Sequence, residues 1–267
     1  MRSPRLGCLA AALGLLGAAP RPIDGVFALQ AAAVRTHGHL QATRAGSDPL
    51  TLGLDIWLTQ GSSPQALAAY DVEMTKRLHT VVVSDDFSTF AHIHPALGKD
   101  GHFRIVQRFP KAGLYHIYAD AVPHGVGQQV FRFDLTVGGR RDAVRRLGSS
   151  QLVSHAGPYT VLLDRTTLDA RGENRLTVHI REQGRAARDL RPYLGVPAHA
   201  VFINASDLTY VHAHPVALGD HAGTGGMSAM AGMPGMRGMD MTGAGGAAAT
   251  PLPENAPSSP DMLLHVA

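Results

Sequence analysis

Short runs in which apolar and polar residues alternate recur along the chain, separated by clusters of turn-forming residues. Residues 50–58 read LTLGLDIWL, and a turn follows at 61–64. Residues 78–83 begin a second run, rich in β-branched valine, which favours a strand. Ser84, Asp85 and Asp86 then break the pattern, and alternation resumes over 89–94. Such a run–turn–run reads as a β-hairpin with a loop of about four to five residues. Further strands are predicted over 102–109, 129–137, 159–163, 176–180, 198–204 and 261–267, and residues 110–118 read as a turn feeding another strand. No stretch shows helical periodicity of useful length. The pattern therefore predicts an all-β chain built of Greek-key β-sandwiches. A proline–glycine turn before Tyr115 suits a tyrosine corner in such a sandwich.

The hairpin occurs twice. Residues 78–98 read LHTVVVSDDFSTFAHIHPALG, and residues 198–219 read AHAVFINASDLTYVHAHPVALG. His79 is followed by His92, His94 and Pro95; His199 is followed at the same intervals by His212, His214 and Pro215. Residues two apart on a strand share a face, so each His-x-His pair presents two imidazoles together. A register that sets His79 opposite His92 or His94 makes all three converge. A slip of one residue sends His79 to the other face. The similarity extends upstream, because Leu54 precedes His79 much as Leu176 precedes His199. The repeat predicts a first sandwich at 36–139, a linker at 140–149 containing Arg140, Arg141, Arg145 and Arg146, and a second sandwich at 150–267. A Met/Gly-rich insertion at 220–260 interrupts the second copy. Nothing in it matches PKAGLYHIYAD or QQVFRFDLTV, so the second sandwich is expected to be incomplete at its C-terminal end and less stable than the first.

Composition narrows the function. The chain has 267 residues, 45% hydrophobic and 17% charged, which suits packed domains rather than wholesale disorder. A net charge of +3 with histidine neutral, scattered along the chain, argues against nucleic acid as a partner. Residues 1–28 read as a signal peptide: Arg2 and Arg5, an apolar core over 6–19, and Val26-Phe27-Ala28 as a cleavage site. That core is shorter than the roughly 20 residues of a membrane span, so no transmembrane helix is expected in the mature chain. The expected location is extracytoplasmic: periplasm, cell envelope or medium. The only cysteine, Cys8, lies in the leader. Disulfides, thiolate zinc sites and blue-copper sites are thereby excluded from the mature chain.

The remaining chemistry points to metal. Neutral imidazole binds copper and zinc, which makes His79, His92 and His94 one candidate set and His199, His212 and His214 a second. His124, in the loop VPHGVG, is a candidate fourth ligand. His37 and His39 form another His-x-His, in a segment expected to be flexible. Met227, Met230, Met233, Met236 and Met239 recur every three residues and Met241 follows; these are six of the nine methionines. Thioethers select Cu(I). Copper is thus the expected cofactor, Cu(I) at the methionines and Cu(II) at the histidines, with zinc as another possibility.

The stretches LHTVVVSDDFSTFAHIHPALG, DLRPYLGVPAHAVFINASDLTYVHAHP and PKAGLYHIYAD resemble largely uncharacterised bacterial exported proteins with tandem immunoglobulin- or cupredoxin-like domains. Some of these are described as copper- or heavy-metal-associated. The resemblance spans about residues 50–219. It implies tandem Ig/cupredoxin-like sandwiches, an extracytoplasmic location and metal handling. An enzyme is not expected. There is no Gly-x-Ser-x-Gly elbow or phosphate loop, the acidic residues form no acid–base pair, and a multicopper oxidase needs a cysteine ligand. The expected function is a copper chaperone, buffer or sensor that exchanges metal with another envelope protein. The alternative is a structural or adhesive envelope module with incidental histidines.

Overall fold

The structure is a computed structural model that describes residues 36–139, 151–169, 172, 174–218 and 251–266. The expected signal peptide and linker and the methionine-rich residues 227–241 lie outside these residues. Sixteen strands are described. The first repeat supplies β1 (Thr36–Arg44), β2 (Thr51–Gln60), β3 (Leu78–Ser84), β4 (Phe90–Ile93), β5 (Ala96–Leu97), β6 (Phe103–Arg108), β7 (Gly113–Ala121) and β8 (Gln129–Val137). The second supplies β9 (Val153–Ala156), β10 (Tyr159–Leu163), β11 (Asn174–Glu182), β12 (Arg185–Ala186), β13 (Ala200–Ile203), β14 (Tyr210–Ala213), β15 (Val216–Ala217) and β16 (Asp261–Val266). The described residues are all-β, as the alternation predicts, and the paired strands are antiparallel.

The first repeat is a sandwich of two four-stranded sheets, ordered β1-β2-β6-β5 and β4-β3-β7-β8. Its core lies between them: Leu54, Ile56, Leu58 and Phe103 from one sheet meet Leu78, Val82, Ile117 and Ala119 from the other. The Tyr115 hydroxyl donates to the Lys111 carbonyl at 2.9 Å, forming the expected corner contact. The segment carrying His37 and His39 is a regular strand, β1, paired along its whole length with β2. His39 stacks on Trp57, which pins the ring.

In the second repeat the order β15-β16-β11-β10 corresponds to β5-β6-β2-β1, so β16 is the counterpart of β6. β9 extends that sheet beyond β10. The hairpin β13–β14 forms a two-stranded sheet, and no strand among the described residues corresponds to β7 or β8. Residues 251–260, assigned from composition to the insertion, are held against the fold in their described conformation. Leu252 N–H donates to Gly195 O, Ser258 N–H donates to Leu190 O, and Ser258 and Ser259 are buried.

The layers stack in a way that places the histidines. Even-numbered residues of β3 face the first repeat's core, and Val81 and Val83 face away from it. That outer apolar face is covered by Val201, Ile203 and Tyr210 of β13–β14. The other face of the same hairpin, with Phe202 and Val211, packs on Leu176, Leu264 and Val266. The β13–β14 hairpin is thus a layer between the first sandwich and the large sheet of the second repeat.

Candidate metal centre

Hairpin register decides where the imidazoles go. β3 pairs β4 with Val81 opposite His92 and Thr80 opposite Ile93. Continuing that pairing sets His79 opposite His94, so all three rings lie on the face of Val81 and Val83. β13 pairs β14 identically, with Val201 opposite His212. His79 and His92 have ring centroids 5.3 Å apart, His79 and His94 5.1 Å, and His92 and His94 4.6 Å. In the second repeat His199 lies 5.2 Å from His212 and 4.8 Å from His214, which are themselves 4.6 Å apart.

The two sets expected to be separate meet face to face. His92 lies 5.1 Å from His199 and 5.6 Å from His212; His79 lies 5.8 Å from His199 and 5.5 Å from His212. Two triads have one nitrogen each within 4.8 Å of the others: His79, His92 and His199, and His199, His212 and His214. The convergence follows from period-two geometry. Both hairpins carry their histidines on the face whose valines and isoleucine form the contact between repeats.

Backbone groups set the tautomers. His79 Nε2 lies 2.9 Å from the Glu73 carbonyl oxygen, and His199 Nε2 lies 3.1 Å from the Tyr193 carbonyl oxygen. A carbonyl only accepts, so both Nε2 atoms carry the proton, and each neutral ring turns the lone pair of Nδ1 inward. His79 Nδ1 lies 3.2 Å from His92 Nε2, and His199 Nδ1 lies 3.0 Å from His212 Nε2. An ion with bonds of about 2.0–2.1 Å to nitrogen holds neighbouring imidazole nitrogens about 3 Å apart, so both pairs have the spacing of a coordination edge. His94 Nε2 and His214 Nε2 are buried and make no hydrogen bond among the described residues. Buried polar atoms are nearly always paired, and an ion is one explanation when they are not.

The carbonyls that orient His79 and His199 come from matched turns. Glu73 and Lys76 exchange two backbone hydrogen bonds around Met74 (φ 42°) and Thr75 (φ 68°). Tyr193 and Val196 do the same around Leu194 (φ 53°) and Gly195 (φ 81°). Left-handed backbone is costly for a β-branched residue such as Thr75. Replacing Thr75 with glycine, which the second repeat already has at this place, is expected to stabilise the protein by about 0.5–1 kcal/mol. Relief of about 1–2 kcal/mol of strain outweighs glycine's extra unfolded-state entropy. Urea unfolding checks this; a lower midpoint for Thr75→Gly would show that the turn is not strained.

Burial lowers the proton affinity of His79, His92, His94, His199 and His214. His92 and His199 are pushed down to about 3, and His94 and His214 to about 4, first by desolvation and then by neighbouring imidazoles. His79 is lowered for the same leading reason. These rings are neutral at pH 7, the form that binds metal. The two halves differ at His212, whose Nδ1 faces the buried Asp120 carboxylate at 3.4 Å. Asp120 also accepts from Gln128 Nε2 at 2.9 Å. Burial and Asp120 raise the Glu73 carboxyl above its ordinary range.

The other histidines lie outside this cluster. His124 is exposed and pairs with Asp71 at 2.8 Å. His116 is buried, with its ring nitrogens 2.7 Å from Asp134 and 3.1 Å from Asp85. His102 pairs with Asp55 and His179 with Asp261. Met227, Met230, Met233, Met236, Met239 and Met241 fall outside the described residues. Sequence reasoning missed Asp120, Tyr193 and the two turns. EMTK and YLGV share no residue, and only Gly195 hints at left-handed backbone.

The family model for a domain of unknown function, DUF8832, matches residues 32–139 and 153–236, one match on each repeat and more than half of the chain. The chain belongs to the DUF8832 family. No curated protein matches it. Among solved structures, the crystal structure of S. aureus TarS is similar at 11% identity and a TM-score of 0.22. The alignment covers 67% of this chain and 33% of that one. The chain therefore spans about a third of that structure's length, and so slight a likeness carries no argument. Among the described residues, no helix of this DUF8832 protein is long and apolar enough to cross a membrane.

Proposed function

We propose that this protein binds a transition metal, copper in its physiological setting, and acts outside the cytoplasm as a chaperone, buffer or sensor rather than as an enzyme. One observation carries the metal reading: six imidazoles meet on a partly buried face, and two of them hold buried nitrogens without a hydrogen-bond partner among the described residues. Desolvated neutral rings packed against one another are costly to charge, and an ion satisfies their lone pairs. Copper is favoured over zinc by the six methionines at 227–241, a soft-ligand segment in the same chain. Residues 1–28 support export, with transfer of the ion to or from another envelope protein.

The test is a competition titration of the mature protein with Cu(I) and Cu(II). Both ions are expected to bind. Deleting residues 227–241 is expected to weaken Cu(I) binding by about tenfold or more while leaving Cu(II) within about twofold, because imidazole accepts both ions and thioether prefers the reduced one. Failure of the protein to withdraw both Cu(I) and Cu(II) from a weak chelator would refute the metal reading. Equal loss of both ions on deletion would refute the division between methionines and histidines.

A further inference from the structure

We propose that the metal centre is a joint product of the two repeats: an ion on His79 and His92 takes its third imidazole from His199, and so clips the β13–β14 hairpin onto the first sandwich. This rests on the metal-binding reading above. It goes further, because that reading is satisfied equally by two independent sites, one per repeat.

Three observations favour the shared site. One triad with nitrogens inside 4.8 Å crosses the boundary between repeats, joining His79 and His92 to His199. The cross-repeat contact of His92 with His199, 5.1 Å, is as close as the contact of His79 with His94 inside one repeat. His199 also has only one nitrogen to give. Its Nε2 is held by the Tyr193 carbonyl, so its Nδ1 lone pair serves one ion at a time. The triad of His199, His212 and His214 therefore competes with the cross-repeat triad for the same donor.

The fold supplies a use for such a clip. A two-stranded sheet is marginal by itself, and β13–β14 has no further strand partner among the described residues. It is held to the first repeat by Val201, Ile203 and Tyr210, and by the Tyr118 hydroxyl donating to Leu208 O at 3.0 Å. Tyr118 stacks on Tyr210 at 4.8 Å along the same contact face, leaving the histidines to fasten their own part of it. An ion bound there adds its binding free energy to the docked arrangement.

Zinc(II), which is diamagnetic and less suited to thioethers, is the probe. Ring nitrogen resonances of the full mature chain are followed by NMR at pH 7 during stepwise addition. His79, His92 and His199 are expected to shift together along one curve within the first equivalent. His199→Ala is expected to weaken binding at His79 and His92 by about tenfold or more. Hydrogen exchange on the unaltered protein needs no variant: zinc is expected to slow exchange in β3 and β13 together. Separate titration steps for the two repeats, an unchanged midpoint at His79 and His92 in a folded His199→Ala protein, or protection confined to one repeat would each overturn sharing while leaving metal binding intact. Zinc that moves none of the six rings overturns this inference, and the metal reading falls with it only if the protein also fails to withdraw both Cu(I) and Cu(II) from a weak chelator.

Discussion

Replacing His92 and His212 together with alanine is expected to lower metal affinity at the cluster by about a thousandfold or more. Each ring contacts both its own repeat's histidines and those of the other. Each also supplies the Nε2 of one short nitrogen pair, so the double variant breaks both candidate coordination edges. Loss of a single outer hydrogen bond to a metal ligand typically costs 10–100-fold, and loss of two donors from the centre should exceed that. His124→Ala is the control. Its ring is exposed and paired with Asp71, and its removal should change affinity by less than twofold. Binding is read by chelator competition on Cu(II), with circular dichroism at the same concentration to establish folding. A folded His92→Ala/His212→Ala protein that still binds within tenfold of the original would place the ion elsewhere.

The parts of this arrangement that sequence revealed are those governed by local rules. Period-two alternation placed the strands, and the strand over 129–137 coincides with β8. The equal spacing of His79, His92 and His94 and of His199, His212 and His214 marked both triads. Local pattern does not determine the hairpin register, because a loop of four to five residues permits more than one pairing. The meeting of the two triads depends on contacts between repeats, yet the sequence carries one sign of it. LHTVVVS is apolar on both faces, and every residue of β3 is buried. A strand at the surface of a lone sandwich needs only one apolar face, so Val81 and Val83 already called for a cover. Asp120 was invisible for a different reason. It reaches His212 across a contact between repeats, which no local pattern encodes.

The same asymmetry separates the two halves of the centre. Asp120 sits on β7, and no strand corresponding to β7 is described in the second repeat. His212 therefore has a carboxylate behind its Nδ1. A carboxylate in that position raises ligand basicity and fixes ring orientation. The expectation that the second sandwich is the less stable one rests on its missing strands alone. His212 gains its carboxylate partner from the first repeat.

The metal-free protein is expected to lose stability as pH falls from about 7 to 5, and the cluster should account for a measurable share of that loss. An unfolded histidine titrates near 6.5. In the folded protein His92 and His199 are lowered to about 3, and His94 and His214 to about 4, chiefly by desolvation. Between those limits the unfolded chain takes up protons that the folded one refuses. Stability is thus complete above about pH 6.5 and declines as pH falls toward the folded values. These rings are only partly buried and solvent screens them, so each contributes on the order of 1 kcal/mol or less over this window, and the group on the order of 3 kcal/mol. Most carboxylates titrate lower, which keeps the window above pH 5 largely to histidine. His116 faces two carboxylates and lies outside the cluster, so it is left unchanged in every variant. Urea unfolding at pH 7 and pH 5 is compared for the unaltered protein and for His94→Gln/His214→Gln. The double variant should lose less stability on acidification, because it removes two rings whose protonation the fold opposes. Identical losses in the two proteins would mean that the folded rings titrate like free imidazole and that the cluster is open to water.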